Sequence, residues 1–323
     1  GMSGSSVADI ASTGKIEINQ MHKHGYLKEY AAALTISSSM LASIIPPSIL
    51  MVVAASVANV SVGKALFGGL VPGIIIGIAF MIYNYIYCKK HNIGDKIPFD
   101  IKNLLKNFVV AIPALLAPIM LLGGMFTGFF TPTEAAGIAV LYAILISMFV
   151  YKGIKLSDLP NMLFRTTKTT GTILFIAVTA KAATWIFEYD GLPARVAAAI
   201  TSLSSNTTIV MFIILAFLIV LGMFMDATAA IYMVVPILLP AVISVGIDPL
   251  FFVIFLVLCL TLGLITPPVG VCLYTCSNVV NLKIESIISQ LMPWIIITII
   301  ILAIFILFPE LVMSPIYWLF PEL

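Results

Sequence analysis

Slid against itself by 221 positions, the chain lays one set of shape-fixing residues onto another. Gly1-Met2 falls on Gly222-Met223, Gly25 on Gly246, Pro46-Pro47 on Pro267-Pro268, Ser56 on Ser277 and Pro72 on Pro293. Over residues 1–72 this single ungapped register holds thirteen identities. Glycine and proline constrain backbone shape, so their coincidence marks a structural repeat. The second copy opens on Gly222 to Pro240, GMFMDATAAIYMVVPILLP. It is apolar enough for a bilayer, yet a Gly, an Asp and a Thr interrupt it early and two prolines follow. A helix running straight across a membrane favours none of these. A re-entrant hairpin, whose tip turns back in mid-membrane against protein or a polar cavity, accommodates all of them.

Composition fixes the class. Of 323 residues 61% are hydrophobic and 9% charged, more apolar surface than a soluble domain of this length can hide, so the chain reads as an all-α polytopic membrane protein in contact with lipid. The formal charge of +2 gives no sign of a nucleic-acid partner. Cys88, Cys259, Cys272 and Cys276 form no metal or disulfide pattern and read as small hydrophobes in or beside apolar segments. The sequence opens in mid-motif. Because Gly1-Met2 matches Gly222-Met223, the expectation is that the opening spans of the first repeat, on the order of a hundred residues, belong before Gly1.

In chain order, residues 1–20 read as the second arm of a hairpin. A polar stretch, Asn19 to Glu29, leads into a helix from Tyr30 that breaks at Ile45-Pro46-Pro47-Ser48 and resumes to Val60, because a residue before proline is pushed out of the helical region. Spans are predicted over Leu66 to Tyr87, Phe108 to Met125 and Ala135 to Val150, with a basic loop from Lys89 to Lys106 and a turn at Thr131-Pro132-Thr133-Glu134. Leu156 to Thr170 is polar and basic and is expected along the interface. Thr172 to Phe187 spans, and Leu192 to Ser205 is short and amphipathic. The second hairpin covers Thr208 to Val245. A second broken span runs from Leu250 to Val280, interrupted at Thr266-Pro267-Pro268, and a last span from Ile295 to Leu307. This gives four expected regions: 1–72 with the first-repeat transport elements, 73–171 with scaffold spans and the interfacial segment, 172–293 with the second repeat, and 294–323 with the final span and tail.

Counting each hairpin as no crossing and each broken helix as one, thirteen of the sixteen Lys and Arg residues fall on one side. Lys64 and Arg195 fall opposite, and Lys181 lies within a span. The basic side is expected to be cytoplasmic. The two Pro-Pro helices then run in opposite senses, so the repeats are inverted, the first hairpin entering from the cytoplasm and the second from outside. Paired broken helices in inverted repeats are a secondary-transporter design with binding sites near the midplane.

Asp226 stands at the start of the second arm, as a helix cap, as a carboxylate facing a cavity, or as both. Asp9 has the same two readings in the first hairpin. Glu134 after Thr-Pro-Thr reads as an N-terminal capping residue. Lys181, near Glu188 and Asp190, reads as a snorkelling or paired cation. Ser37, Ser38 and Ser39 either line a polar path or bond their own helix. Gly1-Met2-Ser3-Gly4 contains a GxSG pattern that would suit a nucleophilic serine, but such chemistry needs a base within reach, and His22, His24 and His91 are all placed in cytoplasmic loops.

GMSGSSVAD at 1–9, IIPPS at 44–48, FTPTEAA at 130–136, LGMFMDATAA at 221–230 and GLITPPVG at 263–270 together resemble the large permease subunit of tripartite ATP-independent periplasmic (TRAP) transporters, in order and spacing along the whole chain. The resemblance implies a non-enzyme: a sodium-driven importer of organic acids, multi-pass in the bacterial inner membrane and working as an elevator. Its implied partners are a small four-helix membrane subunit and a periplasmic substrate-binding protein. The motifs are shared by carriers of sialic acid, C4-dicarboxylates and other acids, and single out none. An autonomous sodium/carboxylate carrier of related build is the alternative, and an intramembrane serine hydrolase a distant third.

Sodium needs several hard oxygen ligands, and a hairpin tip facing a helix break frees backbone carbonyls for it. In the second repeat the candidate ligands are Gly222, Gly263, Thr266 and Val269. The 221-residue register transfers them to Gly1, Ala42, Ile45 and Ser48. Ser3, Ser5, Asp9, Asp226 and Thr228 are the candidate substrate-binding residues.

Overall fold

The computed structural model describes residues 3–93, 100–126, 129–204 and 206–320. Ser5 accepts from Ala8 N and starts α1 (Ser6–Asp9), which passes through a wide π turn at Ile10–Gly14 into α2 (Lys15–Lys23). The chain turns at Gly25, whose φ of +90° suits glycine. It then enters α3 (Lys28–Met40), which ends in a tight turn at Leu41–Ser43. After the Pro-Pro pair, Ser48 Oγ accepts from Met51 N and opens α4 (Ile49–Val57), followed by α5 (Val62–His91). The middle of the chain holds α6 (Ile101–Phe126), α7 (Pro132–Leu145, continued by a π turn at Ile146–Val150), α8 (Leu159–Tyr189) and α9 (Leu192–Leu203). The second repeat comprises α10 (Thr207–Phe224), α11 (Ala227–Ser244), α12 (Pro249–Gly263), α13 (Val271–Val280) and α14 (Ile284–Leu307), and α15 (Glu310–Leu319) follows. Among the described residues there is no strand, and seven helices are long and apolar enough to cross a membrane.

The chain divides into two units, one of Gly1–Gly94 with Ala177–Leu323 and the other of Asp95–Ile176. The smaller is built on the antiparallel pair α6 and α7, tied by Tyr142 Oη donating to Pro113 O at 2.9 Å and Tyr151 Oη to Val110 O at 2.8 Å. α7 begins with the capping box expected at Glu134: Glu134 N donates to Thr131 Oγ1, and Thr131 N to Glu134 Oε2.

In the larger unit the 221-residue register holds element by element. The arm of residues 6–23 corresponds to α11, α3 starts where α12 starts, and α4 corresponds to α13. Gly246 repeats the positive φ of Gly25, at +79°, and both Pro-Pro bonds are cis. The helix breaks lie at 44–48 and 264–270, at the two Pro-Pro pairs as expected. The packing is reciprocal. α4 lies on α11, and α13 lies on the first repeat's arm. α12 is buried on every side from Leu250 to Gly263, as its uninterrupted apolar sequence requires. Trp294 of α14 is fully buried with its ring edge-on to Phe80 and Tyr83 and 6.1 Å from Tyr30, which joins α3, α5 and α14 through one aromatic cluster.

α6, α8 and α14 each start seven or more residues before the expected span. α8 runs unbroken through 159–189, so no separate interfacial segment covers Leu156 to Thr170. Its threonine hydroxyls find partners inside the helix, Thr166, Thr167, Thr169 and Thr172 each donating to the carbonyl four residues back. α14 begins at Ile284, eleven residues before the expected span, and carries Pro293 inside it. The second hairpin turns at Met225-Asp226, and its outer ends are joined by Thr207 Oγ1 donating to Val245 O at 3.2 Å. Each of its arms is 18 residues long, enough to reach most of the way through a hydrocarbon core at about 1.5 Å per residue.

Candidate functional site

In each repeat the residues just before the second hairpin arm lie against that repeat's own helix break. In the second repeat the contact is backbone on backbone: a Cβ built on Gly263 would lie 2.5 Å from Gly222 Cα, and Gly270 N donates to Met223 O at 3.2 Å. In the first, Ile49 N, at the repeat position of Gly270, donates to Gly4 O at 3.3 Å. A Cβ on Gly4 would meet Pro47 O at 2.7 Å, and the φ of Gly4 is +72°. Close approach at tip and break is therefore built into both halves by glycine.

The break carbonyls divide into two groups. Gly263 O accepts from Thr266 N at 3.0 Å, and Leu264 O from Cys272 N at 3.0 Å, so these are committed to holding the turn. Among the described residues no hydrogen bond reaches the carbonyls of Gly222, Ile265 or Val269. Thr266, nearly buried, donates its hydroxyl to Leu262 O at 2.7 Å, which leaves the oxygen lone pairs open to a cation. The second-repeat set of Gly222, Gly263, Thr266 and Val269 thus combines a direct backbone contact, two free carbonyls and one hydroxyl. This fits a hard monovalent cation, with Gly263 contributing close approach in place of its occupied carbonyl.

In the first repeat Ala42, Ile45 and Ser48 lie around the break; Gly1 lies outside the described residues. Ser48 Oγ accepts from Met51 N at 3.1 Å and donates to Ser43 O at 2.5 Å. Ser43 in turn holds the arm, through Ser6 N at 3.0 Å and Ser6 Oγ at 2.8 Å. Sequence reasoning did not select Ser6 or Ser43. The signal available was the serine run at 3–6 together with the 221-residue transfer of Leu264 to Ser43.

Asp226 caps α11, accepting from Thr228 N at 2.9 Å and Ala229 N at 3.4 Å. Its repeat counterpart Ser5 caps α1. The carboxylate therefore sits beside the tip with its charge complementing the helix N-terminus. Thr228 is buried behind it, and Ser3 Oγ donates to Ser5 O at 3.0 Å. Asp9 lines a cavity of about 210 Å³ whose other walls include Glu17, Thr13, Thr35, Ser38 and Ser39. Ser38 and Ser39 line that cavity and also donate to carbonyls of their own helix, Thr35 O and Ile36 O. Of the substrate-binding candidates, Ser3, Ser5, Asp226 and Thr228 stand next to the two tips, and Asp9 lies at the end of α1.

Compared with known proteins, the sequence matches over residues 1–311 the family described as "Tripartite ATP-independent periplasmic transporter, DctM component". It is 32% identical to the sialic acid TRAP transporter large permease protein SiaM of Vibrio cholerae, over all of this chain and 74% of that protein. To the C4-dicarboxylate TRAP transporter large permease protein DctM of Pseudomonas aeruginosa it is also 32% identical, over 98% of this chain and 74% of the relative. The isethionate TRAP transporter permease protein DctMQ of Oleidesulfovibrio alaskensis is 35% identical over 91% of this chain and 46% of its own, longer sequence.

Proposed function

The chain belongs to the DctM family of tripartite ATP-independent periplasmic transporters, and from that premise we propose that it is the sodium-driven, substrate-translocating subunit of an organic-acid importer in a bacterial inner membrane. It is a multi-pass membrane protein and, with its family, a transporter subunit and not an enzyme. In the proposed assembly a periplasmic binding protein delivers the acid and a small four-helix membrane subunit completes the membrane part. Sodium enters as co-substrate. It is held at the second break by the carbonyls of Gly222 and Val269 and the hydroxyl of Thr266, and at the first by the equivalent groups around Ala42, Ile45 and Ser48. The hairpins and broken helices move together as the carrying element.

The observation that carries this reading is the pairing of tip and break in both repeats, Gly4 with Pro47 and Ile49, and Gly222 with Gly263. A tip seated on a break closes a site when its ligands are present and opens it when they leave. That is the gate an ion-coupled carrier needs. Asp226 adds negative field at the second site while its Oδ1 caps α11.

Reconstitution in liposomes tests the whole scheme. With the small subunit and a cognate binding protein present, uptake of a labelled organic acid is expected only under an inward sodium gradient. Uptake at full rate without any binding protein would replace this reading with the autonomous carrier, and uptake indifferent to sodium would remove the coupling.

A further inference from the structure

A cavity of about 590 Å³ lies where the end of α4, the outer part of α8 and one face of α11 meet, all within the larger unit. α8 contributes Lys181, Thr184, Trp185 and Glu188, spaced to fall on one helical face, and α11 contributes Tyr232, Pro236, Leu239 and Pro240 on one of its own. α4 contributes Ser56 and Val57, and beyond it Asn59 turns in through a φ of +54°.

The cavity is braced at its centre. Pro236 has no N–H to give the carbonyl four residues before it, and Thr184 Oγ1 donates to that carbonyl, Tyr232 O, at 3.3 Å. The brace falls between two opposite charges. Lys181 and Glu188 are seven residues apart, about 10 Å along the axis, and among the described residues neither side chain makes an ion pair or hydrogen bond, although the Glu188 carbonyl accepts from Gly191 N. They face one cavity without neutralising each other. Lys181 also sits more than two turns inside the end of a 31-residue helix. A cation placed within a membrane segment usually marks a ligand path or a partner.

We propose that this cavity is a substrate subsite selective for a hydroxylated monocarboxylate over a dicarboxylate. The ligand's carboxylate sits on the Lys181 ammonium. Asn59, the Tyr232 hydroxyl and Glu188 take its hydroxyl or amide groups, and Trp185 covers an apolar face. The volume is that of a small-molecule site, which runs from about 300 to 1,000 Å³. The charge count supplies the selectivity. One ammonium balances one carboxylate, and the far end of the cavity already holds the Glu188 carboxylate, so a second acidic group on the ligand meets like charge. This rests on the transport reading above and adds to it a substrate class.

The test measures equilibrium binding to the purified transporter by calorimetry, with gluconate, N-acetylneuraminate and succinate as probes, and then uptake of the same acids in liposomes. Wild type is expected to bind at least one hydroxylated monocarboxylate more tightly than succinate. Lys181→Met is expected to weaken that binding about tenfold or more, and Lys181→Arg to retain it within about threefold. Glu188→Gln is expected to narrow the preference against succinate by about tenfold. Thermal melting of each variant separates a lost ligand contact from a lost fold. The inference is overturned if wild type prefers succinate, if no probe binds, or if folded Lys181→Met and Glu188→Gln bind all three probes as wild type does. Binding as expected together with no sodium-driven uptake of any acid would leave the subsite standing and remove the transport reading.

Discussion

A methyl group on Gly263 would approach the Cα and carbonyl carbon of Gly222 at 2.5 and 2.6 Å, and both are backbone atoms that cannot rotate away. Gly263→Ala is therefore expected to cost about 1–3 kcal/mol of stability and to abolish uptake, read by melting in detergent and by transport. Gly77→Ala is the control, because its new methyl would sit 3.5 Å from Leu41 Cδ1 in ordinary contact. Thr266→Ala separates ligand from scaffold at the same break. It removes a hydroxyl that bonds only its own helix, so expression and melting should stay near wild type while the sodium concentration for half-maximal uptake rises. An unchanged sodium dependence would show that Thr266 contributes no side-chain oxygen. Gly222 and Gly263 are legible in the sequence through the residue type, since a missing Cβ is itself the signal of close approach, and Asp226 through a local role, a carboxylate two residues before the N–H it accepts from. Ser43 bonding Ser6 is not, because that pair depends on the angle at which a break meets an arm 37 residues away.

At the level of the helix, the second arm of the hairpin offers a clean division of charge from cap. Asp226→Asn preserves the side-chain oxygen that accepts from Thr228 and Ala229, and Asp226→Ala removes it. The alanine variant is expected to lose about 1 kcal/mol, whereas asparagine should hold stability within a few tenths. If the carboxylate supplies field to the nearby cation, both variants raise the sodium requirement; if it only caps, asparagine behaves as wild type. Helix breaks were readable from Pro-Pro alone, since the residue before proline leaves the helical region whatever surrounds it. The course of α8 was not. Its threonines and basic residues resemble an interfacial segment in composition, but the hydroxyls turn back onto their own carbonyls and the helix continues.

For the whole molecule, the strong lysine and arginine bias predicts that a cysteine introduced in the loop near Lys90 is labelled only from the cytoplasm, and one at Asp190 only from outside. The opposite pattern would invert both hairpins. The reciprocal packing bears on how the two repeats answer one another. α4, which leaves the first break, is seated on the second repeat's arm, and α13, which leaves the second break, is seated on the first. Each break also touches the residues that lead into its own arm, through Ile49 N to Gly4 O and Gly270 N to Met223 O, so break, arm, break and arm are linked in turn. If sodium is held at both breaks as proposed, occupancy at one is expected to shift the seat of the other, and linkage then requires the effect to run equally in both directions. Sodium activation should accordingly be steeper than a single-site curve, and damage confined to either break should flatten that curve as well as displace it.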